Sequence, residues 1–199
     1  MRIFVAGASG LIGVRLVPLL VAAGHEVAGM TRSPDKAGAL RDLGAEPVIC
    51  DVFDAEAVAE AVAGYAPDSV MHQMTDLPDH VSDMASFGSR NDRIRSEGTR
   101  NLLAAAVGAG AEQFIAQSIA WDQSDDARRA VTAGHERTVL DAGGVVIRYG
   151  QFWGPGTYYE TAPPARPRIH LDDAARLTVP ALEVPAGITM IIDDRALGT

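Results

Sequence analysis

The junction spanning residues 2–13 constrains the fold more than any other stretch. Arg2-Ile3-Phe4-Val5-Ala6-Gly7 reads as a buried strand, and Gly7-Ala8-Ser9-Gly10-Leu11-Ile12-Gly13 turns it into a helix. Backbone without Cβ atoms approaches a phosphate closely, and a helix N-terminus adds free N–H groups and a partial positive charge. An ordinary strand-to-helix turn needs one glycine. Three glycines, Gly7, Gly10 and Gly13, favour a dinucleotide site. The spacing is Gly-x-x-Gly-x-x-Gly rather than the commoner Gly-x-Gly-x-x-Gly, and the absence of Gly-x-x-x-x-Gly-Lys argues against a phosphate-loop NTPase.

The rest of the chain repeats strand and helix patterns at βαβ spacing. Ile12, Leu16, Leu19, Leu20 and Ala23 form a helical stripe interrupted by Pro18, which costs a hydrogen bond. Strands are expected at 26–31, 46–50, 68–74, 113–119 and 145–149, with one more within 187–193. Helices are expected at 36–43, from Asp54 as cap to Tyr65, at 91–107, up to about Asp141, and from Asp172 as cap to about Leu182. Residues 75–88 read as a polar loop, 150–156 as a loop and 161–168 as an extended segment. This order predicts an α/β, doubly wound Rossmann fold with a central parallel sheet. A single domain covers 1–199, in which 157–199 is a short, truncated remnant of a substrate region with a last helix and strand.

Ligands of such sheets sit at the carboxyl ends of the strands. That edge carries Gly7, Thr31-Arg32, Asp51, His72-Gln73-Met74 and Gln117-Ser118. At the tip of the second strand an acid would accept from a ribose 2′-hydroxyl, whereas an arginine accommodates a 2′-phosphate. Arg32 stands there with no acid before Asp35, and Lys36 is near enough to assist, so NADP is favoured, with NAD possible. His72 is read as a lining or packing residue, with an active-site base as the alternative. Asp76, Asp79, His80 and Asp83 match no standard metal spacing, and no metal is expected.

The formal net charge of −9 argues against a nucleic-acid partner. The single cysteine, Cys50, permits no disulfide framework and reads as a core residue. No apolar run is long enough to span a membrane. A cytoplasmic protein acting on a small-molecule substrate is expected, with a homodimer as one option.

Taken together, Gly7 to Gly13, Thr31-Arg32, Asp51-Val52, Gly98-Thr99-Arg100-Asn101-Leu102-Leu103, Gln117-Ser118, Arg148 to Gly156 and His170 to Ala175 resemble the short-chain dehydrogenase/reductase superfamily. The resemblance is to its extended or atypical branch, which is NAD(P)-dependent epimerase/dehydratase-like, and it covers essentially the whole chain. It implies that Gly7, Gly10 and Gly13 hold the pyrophosphate with Ser9, Leu11 and Ile12 beside it, and that Arg32 takes the 2′-phosphate. Asp51 and Val52 flank the adenine. Gln73 and Met74 lie beside the nicotinamide ribose, and Tyr149, Gln151 and Phe152 near the nicotinamide ring.

The departure from the family lies in the chemistry. The resemblance implies a serine and a Tyr-x-x-x-Lys pair on the helix after the fifth strand. Ser118 occupies the serine's place. Lys36 is the sole lysine, and the tyrosines are Tyr65, Tyr149, Tyr158 and Tyr159, so the pair is absent. Counting back from Glu136 puts its two slots at Arg128 and Thr132. Two functions remain open. One is an atypical oxidoreductase or epimerase on a small carbonyl or sugar-like substrate. There Ser118 orients the carbonyl, and Tyr149, Tyr158, His72 or water gives the proton; His135 reads as a helix-surface residue. The other is a non-catalytic NADP(H)-sensing or interaction protein. Tyr158 and Tyr159 either close a substrate pocket or form a dimer contact.

Overall fold

The computed structural model describes residues 1–78 and 84–193. The elements in order are β1 (Arg2–Ala6), α1 (Gly13–Ala22), β2 (Glu26–Thr31), α2 (Ala37–Asp42), β3 (Glu46–Ile49), α3 (Ala55–Tyr65) and β4 (Ser69–His72). Then come α4 (Met84–Arg93), a π-helical turn (Ile94–Gly98), α5 (Thr99–Gly108), β5 (Gln113–Ile119), α6 (Asp126–Asp141) and β6 (Val145–Tyr149). The chain continues through β7 (Gln151–Trp153), β8 (Arg168–His170), α7 (Leu171–Thr178) and β9 (Gly187–Ile191). Seven strands form one parallel sheet in the order β3-β2-β1-β4-β5-β6-β9. The fold is the expected doubly wound α/β sheet.

Alternating side chains of the strands feed two apolar layers. Ile3, Val5, Met71, Ile115, Ile147 and Tyr149 pack with Leu16 and Leu20 of α1 and Ala174 of α7. Phe4, Ala6, Val70, Phe114 and Val146 pack with Val58 and Val62 of α3, Leu102 of α5 and Val139 of α6. Asp54 caps α3, its carboxylate accepting from the Ala57 amide at 3.0 Å. α1 runs through Pro18 without a break.

Three departures from the sequence expectation matter for the site. The polar stretch before Gly88 is already helical from Met84, and the chain stays helical through the π turn to Gly108. The segments read as a loop and an extended tail pair with each other as β7 and β8. Gly150 permits this approach, because a Cβ there would lie 2.6 Å from the Arg168 backbone. Finally, α7 starts at Leu171, not after Asp172; His170 Nδ1 accepts from the Asp172 amide at 3.3 Å, and a 3-10 turn at Val179–Glu183 replaces the helix's expected end.

Candidate functional site

An open cleft with a volume of about 290 Å³ runs along the carboxyl ends of β1 to β5. Its floor is the glycine turn. Gly7 has φ +88°, and a Cβ there would lie 2.8 Å from the Gln73 carbonyl group, so any side chain would be both strained and in collision. Gly13 lies one turn further under the loop, where a Cβ would lie 2.3 Å from the Gly7 carbonyl oxygen. The amides of Gly7 and Ala8 bond to the Met30 carbonyl, and the Ser9 hydroxyl donates to Thr31 Oγ1 at 2.8 Å. The turn is thereby anchored to the end of β2, and Gly10, Leu11 and Ile12, which lead into α1, line the cleft.

Of the residues named from the sequence, Gly7, Ser9, Gly10, Leu11, Ile12, Thr31, Arg32, Asp51, Val52, Gln73, Met74, Gln117 and Phe152 line this cleft together. Lys36 joins them, as does Cys50, which is both buried and part of the wall. Ser33, Phe53, Thr75, Leu77 and Ile94 also line it and carry no motif by which sequence alone would have found them. The Gly98-Thr99-Arg100-Asn101 segment has a structural reason. A Cβ on Gly98 would press on Val52 at 3.2 Å, and Asn101 Nδ2 donates to the Val52 carbonyl at 2.9 Å. This segment holds the β3 end of the cleft in place.

At the β2 end, half-exposed Arg32 reaches buried Asp76 through two contacts of 3.4 Å, and Arg90 grips the same carboxylate at 3.0 Å. The closer arginine anchors Asp76, and Arg32 is the looser partner. Asp79, His80 and Asp83 lie outside the described residues. At the other end, Gln73 is buried beside the Tyr149 hydroxyl with neither amide atom in a hydrogen bond of normal geometry among the described residues. Arg15 ties α1 to the Gly154-Pro155-Gly156 loop through the Pro155 carbonyl at 2.8 Å, and to Asp172 at 2.8 Å. The Tyr158 hydroxyl donates to the Pro78 carbonyl, joining the segment after that loop to the strap that follows β4. Tyr158 is therefore engaged with the chain's own backbone.

Three residues offered for the chemistry, Ser118, Tyr149 and His72, are placed elsewhere, and His135 is not where its surface reading put it. Ser118 is buried on the opposite side of β5 from Gln117, and its hydroxyl donates to Glu136 Oε1 at 2.6 Å. The two-residue period of a strand forces this: with Gln117 facing the cleft, its neighbour faces α6. Burial alone would raise the Glu136 carboxyl, but bonds from Arg148 and Ser118 outweigh it and hold the group below its usual range. Tyr149 is buried, its hydroxyl is bonded to Thr178 Oγ1 at 2.6 Å, and burial pushes it well above the ordinary tyrosine value. His72 is buried away from the cleft and, through burial first and its His135 neighbour second, is held down to about 3. His135 is not on the helix surface; it is 2 % exposed and bonded on both ring nitrogens.

Gln151 is absent from the cleft wall: along β7 side chains alternate in facing, and the one turned toward the cleft is Phe152. Thr132, one of the two slots of the missing pair, donates to Gln123 Oε1 at 2.8 Å and accepts from Arg95 Nη1 at 3.0 Å. Burial lowers the Arg95 pKa, and this cation is among the charges that disfavour protonation of both histidines.

Residues 7–141 match the family described as NAD(P)H-binding. The chain belongs to this family. It is an NAD(P)-binding protein with a Rossmann fold. It is 34 % identical, over 98 % of its length and 76 % of the relative's, to a Streptomyces protein named 3-diazoavenalumate denitrifying reductase. It is 30 % identical to a Stigmatella aurantiaca protein named 4-hydroxy-2-methyl-3-oxo-4-farnesyl-3,4-dihydroquinoline-1-oxide ketoreductase, over 77 % of this chain and 51 % of that one. Among solved structures, the NAD complex of Thermus thermophilus UDP-glucose 4-epimerase superposes with a TM-score of 0.77 at 21 % identity. That match covers 96 % of this chain and 78 % of the epimerase. The UDP-Glc/GlcNAc 4-epimerase of Campylobacter jejuni gives 0.79 at 14 % identity with the same coverage. Among the described residues no helix is long and apolar enough to cross a membrane.

The cleft fits the dinucleotide this family binds. Gly7 lets the turn close against the Gln73 backbone at the cleft floor, Gly10, Leu11 and Ile12 lead from it along the wall into the N-terminus of α1, and the Gln73 amide is left for a polar ligand group.

Proposed function

We propose that the chain is an NADP-dependent reductase that passes hydride to a small, electron-poor substrate and contributes no side-chain acid to the transfer. One observation carries the reading: the nucleotide cleft is complete, whereas Ser118, Tyr149 and His72 are each buried and bonded away from it. When bound, the dinucleotide supplies a hydride. Gly7, Gly10 and the first turn of α1 would hold the pyrophosphate, and Asp51, Val52 and Phe53 would enclose the adenine. Arg32, Ser33 and Lys36 would meet the 2′-phosphate, since all three line the adenosine end. Met74, Gln117 and Phe152 would seat the nicotinamide and exclude water beside it.

An acceptor that needs no proton from the protein suits such a site. A diazonium group is one. Hydride adds to its terminal nitrogen and loss of N2 leaves the arene, so an aryl diazonium ion plus hydride balances to arene plus N2. A quinone is another, because water can protonate the resulting phenolate. The name of the Streptomyces relative agrees with the first class. The epimerase alternative has support from fold likeness alone.

The test is transfer of deuterium from NADPH labelled at the nicotinamide C4 position to aryl diazonium salts, quinones, aldehydes and ketones. Label is expected in the product of an acid-independent acceptor. The absence of the Tyr-x-x-x-Lys pair also supports a second reading, a non-catalytic NADP(H)-sensing or interaction protein. Tight NADPH binding with no label transfer at high protein concentration would select it. If calorimetry finds no dinucleotide binding, both readings fail.

A further inference from the structure

Behind the Met74 and Gln117 wall lies a closed ring of hydrogen bonds that hydride transfer does not use. The β4–β5 ladder runs from Ser69↔Gln113 to His72↔Ala116 and stops there. Beyond it β4 ends while β5 continues in register with β6, and the Met74 amide and the Gln117 carbonyl bond to side chains instead. Unpaired buried backbone groups are costly, so something else must hold them.

The partners found are His72, Thr99 and His135. The Met74 amide donates to His72 Nδ1 at 3.3 Å. His72 Nε2 meets Thr99 Oγ1 at 3.1 Å, and Thr99 Oγ1 meets His135 Nδ1 at 2.8 Å. His135 Nε2 meets the Gln117 carbonyl at 2.9 Å, and the Gln117 side-chain amide closes the ring on the Met74 carbonyl at 2.8 Å. The two ends dictate the protons. Met74 can only donate, so His72 Nδ1 is bare and its Nε2 carries hydrogen. The Gln117 carbonyl can only accept, so His135 Nε2 carries hydrogen and its Nδ1 is bare. Thr99 therefore accepts from His72 and donates along the 2.8 Å contact to His135, the Ile94 carbonyl at 3.4 Å being the longer, weaker acceptor for the same hydrogen. Every bond points the same way, and both rings are neutral.

Thr99 reaches this point from the π-helical turn Ile94–Gly98, whose first residue also lines the cleft. A turn of this kind re-aims the residues that follow it. The two imidazole rings meet edge to face at 5.5 Å. A fully satisfied polar network of this kind specifies one arrangement of the groups at its ends.

We propose that His72, Thr99 and His135 are positioning residues that set the distance and facing of Met74 and Gln117, and through them the nicotinamide half of the dinucleotide site. The inference stands apart from the reductase reading, since it needs only that the dinucleotide bind. Its test is calorimetric titration of Thr99→Val, Thr99→Ser and the wild type with two ligands, NADPH and 2′,5′-ADP. The second carries only the adenosine half. Thr99→Val keeps the shape of the side chain and removes the hydroxyl link. NADPH affinity is expected to fall about tenfold, the equivalent of about one hydrogen bond. Affinity for 2′,5′-ADP should stay within about twofold of wild type, on the same scale. Thr99→Ser should restore NADPH binding. Equal NADPH affinity in Thr99→Val and wild type overturns the proposal, as does equal loss of both ligands, which would mean a general structural role. If Thr99→Val does not fold, His135→Gln decides by the same comparison: its amide can still donate to the Gln117 carbonyl but offers Thr99 no ring nitrogen. Wild-type binding without hydride transfer would end the reductase reading and leave this one standing.

Discussion

The cofactor cleft and the polar cluster behind β5 use similar side chains under opposite conditions. In the cleft, glycines leave room, the Gln73 amide lacks a full hydrogen-bond partner and Arg32 is only loosely paired. Behind β5, Ser118, Glu136 and Arg148 form one closed set, and His72, Thr99 and His135 form another. A surface built for a ligand carries unmet polar capacity, whereas a self-satisfied network contributes rigidity. The lesson is that residue type at an expected strand end does not identify a catalytic group. The face of the strand and the partners already engaged decide it.

The sharpest way to break this contrast is to crowd the glycine turn at the cleft floor. Gly7→Ala places a methyl group 2.8 Å from the Gln73 carbonyl group at φ +88°. The strained backbone alone costs about 1–3 kcal/mol. The collision also displaces the turn under the pyrophosphate, so dinucleotide affinity should fall by about 100-fold or more, the equivalent of about 2.7 kcal/mol. Calorimetry with NADPH and a thermal melt measure the two effects. Undiminished affinity would mean that the ligand lies elsewhere.

Arg32→Ala tests whether the loose pairing at the adenosine end serves a ligand. Charge-assisted hydrogen bonds contribute about 1.5–3 kcal/mol, so NADPH affinity should fall about 10- to 100-fold. NADH, without the 2′-phosphate, should change by less than about threefold on the same scale. Equal losses for both nucleotides would assign Arg32 to holding Asp76 rather than to reading phosphate.

The closed cluster makes its own prediction in pH. Burial and the neighbouring His135 hold His72 down to about 3, against 6.5 when exposed. Between those values the unfolded chain binds a proton that the native chain does not, so stability rises with pH and is lost as pH falls below 6.5. At pH 5 this linkage removes about 2 kcal/mol, at about 1.4 kcal/mol per unit. The thermal midpoint should drop by roughly 4–8 °C. His135, also lowered by burial, acts in the same direction. His72→Gln should flatten the slope. A midpoint constant from pH 7 to 5 in the wild type would show that the ring is not buried in solution.

The wall of the cleft at its adenosine end was legible because its cause is local. Gly7 and Gly13 leave no room for a Cβ at one turn, and Arg32 lines the cleft from the tip of β2. The parallel sheet was legible from strand and helix periods. The chemistry was not, because it depends on facing. Ser118 and Gln117 are adjacent in sequence, and nothing local says which one turns toward α6. His135 looks like a surface residue until His72 and Thr99, 63 and 36 positions earlier, are brought to its side by β4 and the π turn. The β7–β8 pair was hidden because each strand is short and its partner lies beyond a Pro-rich stretch.

The smallest expected effect bears on the last remaining candidate acid. Tyr149→Phe keeps the ring against Phe152, whose centroid lies 5.3 Å away, and removes the bond to Thr178. Thr178 already donates to the Ala174 carbonyl at 2.7 Å, so no donor is orphaned and the stability cost should be about 1 kcal/mol. NADPH affinity and any hydride-transfer rate should stay within about twofold, since losing a true general acid typically costs 10²–10⁴-fold. A rate loss of that larger size would bring Tyr149 back into the chemistry. It would require the hydroxyl to leave Thr178 and reach substrate past Gln73, erasing the distinction between the open cleft and the closed core.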